Sequence, residues 1–247
     1  MDWLIFLSIG GMTGILLAYV IAFLPEAMAR AAASDIAADE SQSTVSDGRP
    51  ADSPDSWQVD GTYRNHCGDR LAILMPLAVL ASMTGAVTAY LAFGPTVQAM
   101  AAFGLIAALI AGSLIDIRHR LLPDVITLPL LWAGLLVNLG HLFVPLESAV
   151  LGAVAGYLSL WSLNWIFRMI RKIDGMGYGD FKLLAALGAW LGWEAIPLII
   201  AISSLAASVI GIVLAAARRS GFATSLAFGP YLALTGAVLL VVRHTAS

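Results

Sequence analysis

The sequence predicts an all-α polytopic membrane protein with about eight transmembrane helices, and three observations lead to that fold class. Of the 247 residues, 60% are hydrophobic and only 12% are charged, and the mean hydropathy is +0.87. Apolar segments of about 20 residues, the length that crosses a bilayer, recur along the chain. The basic residues fall on one side of the spans that these segments predict. A soluble domain does not carry this composition, so we expect a lipid bilayer as the protein's surroundings.

Each predicted span is an apolar segment between polar or turn-forming residues. The eight segments are 3–24, 71–93, 97–117, 124–144, 147–169, 181–193, 195–217 and 225–243. No basic region precedes the first segment, so we interpret it as a retained span rather than a signal peptide. The stretch 181–217 is too long for one span, and Gly192 to Glu194 with Pro197 offer a place to turn. A single long kinked helix is the alternative.

The distribution of positive charge favours the eight-span interpretation. With the N-terminus outside, twelve of the thirteen Lys and Arg residues fall on the cytoplasmic side, and only Arg243 falls on the other. Cytoplasmic loops of membrane proteins carry such an excess. Merging the sixth and seventh spans would export Arg218 and Arg219. We therefore predict eight spans with both termini on the periplasmic side.

Two regions are predicted. Residues 1–70 form the first transmembrane helix and a flexible cytoplasmic loop from about 26 to 70, rich in Ala, Ser, Asp and Pro. Residues 71–247 form a membrane core of seven helices. The net charge of −3 suggests no nucleic-acid partner, and the single cysteine, Cys67, excludes an internal disulfide and a cysteine-built zinc cluster.

Asp116 and Asp180 are the candidate catalytic residues. Both lie at predicted cytoplasmic helix ends, and ionisable groups at membrane depth are costly enough to indicate function. Aspartic proteases use a pair of carboxylates in a partly dry site for catalysis. The structural alternatives are an N-cap role for Asp180 and an ion pair of Asp116 with Arg118 or Arg120.

Residues around the two aspartates are candidates for supporting roles. The run 175–180, Gly-Met-Gly-Tyr-Gly-Asp, includes Gly177 and Gly179, which permit close backbone approach and an irregular segment before a helix. Pro123 and Asp124 mark the start of the fourth span, and a structural role for Asp124 in its first turn is favoured. Lys182 is expected to pair with Asp180 or with a lipid phosphate.

The helix ends suggest which aspartate acts as the base and which as the acid. Two close carboxylates do not both ionise readily. Asp180 lies at a helix N-terminus, which stabilises negative charge, whereas Asp116 lies at a helix C-terminus. This argument predicts Asp180 as the base and Asp116 as the acid.

At these two segments the sequence resembles the prepilin peptidases, the type IV leader peptidase family. The matching stretches are 115–138, IDIRHRLLPDVITLPLLWAGLLVN, and 175–193, GMGYGDFKLLAALGAWLGW. The resemblance implies an eight-helix fold in the bacterial inner membrane, with Asp116 and Asp180 catalytic. It also implies that the partners are type IV prepilins or type II secretion pseudopilins, cut at the cytoplasmic boundary of the membrane behind a short basic leader.

The N-terminal third departs from the family pattern. Family members usually have two Cys-x-x-Cys pairs that hold zinc in the first cytoplasmic loop, whereas this loop has only Cys67. The resemblance therefore implies no zinc and no metal site here. Bifunctional members also methylate the new N-terminus, and S-adenosylmethionine would be a cofactor only if that activity is retained.

Two other functions remain as alternatives. An ion- or proton-coupled transporter could use Asp116 and Asp180 as relay groups. A catalytically silent assembly factor of a secretion machine would tolerate Asp180→Asn, which a protease would not.

Overall fold

The computed structural model describes residues 4–21, 62–171, 177–218 and 227–246. Within these ranges the chain is helical and contains no strand. The α-helices are α1 (Leu4–Ile21), α2 (Thr62–Phe93), α3 (Val97–His119), α4 (Asp124–Asn138), α5 (Leu146–Arg171), α6 (Tyr178–Leu191), α7 (Ile196–Arg218) and α8 (Gly229–Ala246). A 3₁₀ turn at Trp193–Ala195 precedes α7. The predicted all-α fold is confirmed.

Helix α6 is the centre of the bundle. From Asp180 onward nearly every residue of this helix is buried, because its sequence is apolar on all sides and α4, α5, α7 and α8 surround it. Small residues bring α5 against it: a Cβ on Gly156 would lie 2.6 Å from the carbonyl oxygen of Leu184. Close approach at small residues is how helices associate where lipid removes the usual hydrophobic drive.

Interhelical contacts define two opposite ends of the bundle. At one, the end of α3 meets the start of α8 through Asp116 and Gly229, and the start of α6 meets the start of α4 through Lys182 and Asp124. We call this the carboxylate end. At the other, the asparagine end, α4 finishes at Asn138 and the last turns of α6 and α8 meet. Helices α4, α6 and α8 therefore run antiparallel to α3.

Among the described residues, five helical segments have the length and composition to cross a membrane. They are Leu4–Ile21, Pro76–Phe93, Val97–His119, Leu146–Ile170 and Trp193–Leu214. Helices α4 and α6 have 15 and 14 residues, which at about 1.5 Å per residue is shorter than the hydrocarbon core. The protein is thus a multi-helix membrane protein, while the count of eight spans stays a prediction.

The predicted turn between the sixth and seventh segments is confirmed, and the single kinked helix is wrong. Gly192 ends α6 with a φ of 80°, a left-handed value that favours glycine, and its N–H bonds the carbonyl oxygen of Gly188. The chain then passes through the 3₁₀ turn into α7.

Two predicted boundaries are wrong. The fourth helix ends at Asn138 instead of 144, because the Asn138 side chain accepts hydrogen bonds from the N–H groups of Phe143 and Val144 and closes a turn. Helix α2 begins at Thr62, so the last part of the predicted loop 26–70 is helical. A helix satisfies its own backbone groups and can extend past its apolar segment. The rest of that loop, and residues 172–176, which include the first two residues of the glycine run, lie outside the described residues.

Candidate active site

Asp116 lies in the last turn of α3, as predicted, with only 6% of its surface exposed. The helix ends where Arg120 adopts a left-handed conformation with a φ of 53°, and the Arg120 N–H bonds the Asp116 carbonyl oxygen at 2.8 Å. This left-handed ending turns the chain toward α4 directly after the aspartate.

The carboxylate of Asp116 is held by a helix that the sequence argument did not consider. The N–H of Gly229, the first residue of α8, donates a hydrogen bond of 3.1 Å to Asp116 Oδ2. Among the described residues Asp116 forms no ion pair, so the predicted alternative of a partner in Arg118 or Arg120 is wrong. The premise that Asp116 faces only a helix C-terminus is wrong too.

Asp180 lies in the first turn of α6 and is 8% exposed. The N-cap of this helix is Gly177, so the alternative in which Asp180 serves as the N-cap is wrong. The Asp180 N–H bonds the Gly177 carbonyl oxygen at 3.2 Å, and the next residue, Phe181, is fully buried. Asp180 therefore lies in the protein interior, on the most buried helix of the bundle.

Asp116 and Asp180 are both buried at the carboxylate end, and Leu122 joins their surroundings. Leu122, in the α3–α4 connection, packs beside both segments: it contacts Gly179 next to Asp180 and Gly229 next to Asp116. It is 8% exposed and excludes water from one side of the site. Like charges brought together in a shielded place destabilise the doubly ionised pair.

The two motif glycines differ in their surroundings. A Cβ on Gly179 would lie 2.6 Å from Leu122 Cβ and 3.2 Å from the Leu122 carbonyl oxygen, so only glycine fits there. Gly177 has an ordinary extended backbone, φ −70° and ψ 140°. No described atom lies within 4 Å of where its Cβ would be. The close approach predicted from this run is found at Gly179.

Lys182 pairs with Asp124, at 2.6 Å from Nζ to Oδ1, rather than with Asp180. Pro123 is the N-cap of α4, and Asp124 occupies the first turn, as its structural interpretation predicted. This ion pair joins the starts of α4 and α6 beside the carboxyls. The expected lipid phosphate contact of Lys182 stays a prediction.

Leu122 and Gly229 lie at the site although the sequence did not single them out as site residues. A signal for Gly229 was present, because Gly229-Pro230 ahead of an apolar segment marks a helix start. Leu122 carried no signal, since its role depends on what packs around it. Among the described residues no three His, Cys, Asp or Glu side chains group as a metal site would require. The expectations about zinc and S-adenosylmethionine stay predictions.

Comparison with known proteins gives a consistent result. Residues 103–212 match the type IV leader peptidase family. The chain is 52% identical over 175 residues to the prepilin leader peptidase/N-methyltransferase of Burkholderia pseudomallei, covering 71% of this chain and 57% of the relative. It is 50% identical over 188 residues to the protein of the same name from Pseudomonas aeruginosa, covering 75% of this chain and 64% of the relative.

The chain thus spans less than two thirds of the length of these relatives. No solved structure matches it. Both aspartates, Leu122 and Gly179 lie inside the matched segment, whereas Gly229 lies beyond the family match. Across residues 103–212, the chain is similar to the type IV leader peptidase family.

Proposed function

We propose that the protein is an intramembrane aspartic endopeptidase that removes the leader from type IV prepilins or type II secretion pseudopilins. The observation that carries the proposal is the burial of two carboxyls, Asp116 from α3 and Asp180 from α6, at one end of the bundle, where Leu122 packs beside both segments. The names of the relatives supply the substrate class.

The chemistry follows from one shared proton. The ionised carboxylate takes a proton from water, whose oxygen attacks the scissile carbonyl carbon, while the protonated carboxyl gives its proton to the carbonyl oxygen. The tetrahedral intermediate then breaks its C–N bond: the newly protonated carboxyl gives its proton to the departing nitrogen, and the other carboxylate takes a proton from a hydroxyl of the intermediate. Each carboxyl thereby regains the protonation state that it had at the start.

The position of the carboxyls suits a cut at the membrane boundary. Arg118, Arg120 and Lys182 flank the carboxylate end, and positive charge of this kind faces the cytoplasm. We therefore propose that this end is cytoplasmic, in a bacterial inner membrane, and that both termini are periplasmic. Labelling of single cysteines placed at 121 and at 141 from either side of sealed vesicles tests this orientation.

The alternative functions fit the geometry less well. A transporter needs ionisable groups along a path through the bilayer, whereas Asp116 and Asp180 share one end of the bundle. A silent assembly factor has no need for two buried like charges, which would be costly to keep without a use. Both alternatives predict that the purified protein does not cleave a prepilin, whether or not the two carboxyls are present.

The test is leader removal from a synthetic prepilin by purified protein in detergent, followed by mass. Asp116→Asn and Asp180→Asn should each abolish cleavage, since neither amide can transfer the proton. Glu147→Gln is the matched control, because Glu147 is an exposed acid in the first turn of α5, at the other end of the bundle. Cleavage by both aspartate variants at the rate of the unmodified protein would refute the proposal.

N-methylation is tested in the same reaction. The relatives' names include N-methyltransferase, and the first loop of this chain lacks the paired cysteines expected of bifunctional members. We propose that the peptidase acts without methylating its product. A further mass gain of one methyl group on addition of S-adenosylmethionine would overturn this second statement and leave the first intact.

A further inference from the structure

The start of α8 has one backbone donor that its own helix does not use. Pro230 has no N–H, and the N–H groups of Tyr231 and Leu232 both bond the carbonyl oxygen of Phe228, at 3.1 and 3.3 Å. The first amides of a helix otherwise lack partners. The remaining one, on Gly229, points at Asp116 Oδ2, so every donor in this first turn is accounted for and one of them serves the site.

We propose that Gly229 is a positioning residue for the peptidase reaction: its N–H orients the Asp116 carboxylate, and its missing side chain makes room for it. This inference rests on the proposed function. The hydrogen bond joins residues 113 positions apart. The bond therefore fixes the position of the Asp116 carboxylate. Without it, this side chain could rotate about its two torsions.

The requirement for glycine here is steric. A Cβ on residue 229 would lie 2.6 Å from Asp116 Oδ2, 3.2 Å from Asp116 Cγ and 2.5 Å from Leu122 Cδ1. The backbone of Gly229 is not left-handed, so alanine can adopt it. Alanine would keep the N–H and still push the carboxylate and Leu122 away, and contacts this short cannot persist without movement.

Gly236 provides a matched control on the same helix. A Cβ there would collide with the Leu187 side chain and would not touch either carboxyl. Gly229→Ala and Gly236→Ala thus introduce the same methyl group into tight places on α8, two turns apart. Only the first displaces the proposed catalytic carboxylate.

The experiment measures kcat and KM for leader removal by Gly229→Ala, Gly236→Ala and Asp116→Asn, with thermal unfolding of each protein. A displacement of a reacting group by about 1 Å lowers rates about 100-fold. We expect the kcat of Gly229→Ala to fall by about that factor with KM little changed, because Gly229 contacts the Asp116 carboxyl and not the substrate. Gly236→Ala should keep its kcat per folded molecule.

A double variant, Leu122→Ala with Gly229→Ala, separates the two collisions. It opens the space that Leu122 fills and leaves the methyl group against Asp116, so its kcat should stay low relative to Leu122→Ala alone. The same comparison applies if the single variant does not fold. Recovery of kcat in the double variant, or an unchanged kcat in Gly229→Ala, would overturn the inference. Activity in Asp116→Asn would instead overturn the proposed function.

Discussion

The two ends of the bundle treat buried polar groups in opposite ways. At the asparagine end, the Asn138 amide donates to the carbonyl oxygen of Ala189 at 2.8 Å, and its oxygen accepts the N–H groups of Phe143 and Val144. Nearby, Trp190 Nε1 donates to the Leu130 carbonyl oxygen at 2.8 Å. At the carboxylate end, two buried acids lie on segments beside Leu122, and the hydrogen bond that Asp116 accepts comes from α8, 113 positions along the chain.

The difference separates stability from reactivity. Buried polar groups with every partner present fix the helices in register. Two like charges side by side push the helices apart, because the repulsion between the charges falls when they separate. A bundle that is held firmly at the asparagine end can bring together acids at the carboxylate end that would otherwise repel each other.

Neutralising the carboxylate end should abolish activity without weakening the fold. Asp116→Asn and Asp180→Asn should each lower the cleavage rate by about 1,000-fold or more, the scale of lost acid–base catalysis. The unfolding temperature of Asp180→Asn should be unchanged or higher, since an amide removes the repulsion between the acids. Cleavage assays and thermal unfolding in the same detergent check both. A clear drop in the unfolding temperature of Asp180→Asn would show that its charge stabilises the fold.

The asparagine end should respond in the opposite sense. Asn138→Ala removes partners from two partly buried N–H groups and two carbonyl oxygens, and we expect a loss of about 1–3 kcal/mol in the free energy of unfolding. Cleavage per folded molecule should be unchanged, because no carboxyl moves. Denaturant unfolding with a parallel activity assay checks this. Loss of activity in the fully folded variant would mean that the two ends are coupled.

The sequence predicted the parts of this comparison that depend on local chemistry. Apolar segments of about 20 residues located the helices, and the cost of charge at membrane depth singled out Asp116 and Asp180. It could not predict that Asn138 closes α4 or that Gly229 reaches Asp116, because both depend on atoms that are far apart in the chain. Of the two partners considered for Lys182, Asp180 is wrong for the same reason: it is close in sequence, whereas the fold brings Lys182 to Asp124.

The two motif glycines, Gly177 and Gly179, should respond differently to substitution by alanine. Gly179→Ala forces a Cβ to within 2.6 Å of Leu122 Cβ, and overpacking of this kind costs about 1–3 kcal/mol. We expect about a tenfold loss of cleavage, since Leu122 packs against both acid-bearing segments. Gly177→Ala meets no described atom and should cleave at close to the unmodified rate. Equal losses in both variants would show that the motif needs backbone freedom rather than space.

The Lys182–Asp124 ion pair should have the smallest effect. Its side chains are 27% and 54% exposed, and pairs with this much contact with solvent contribute about 0.2–1 kcal/mol. A double-mutant cycle with Lys182→Met and Asp124→Asn isolates the coupling energy from other effects of each substitution. Because the pair joins the starts of α4 and α6 and touches neither acid, both single variants should retain most of their cleavage. A coupling energy well above that range, together with lost cleavage, would mean that the ion pair holds Asp180 in place and belongs to the active site.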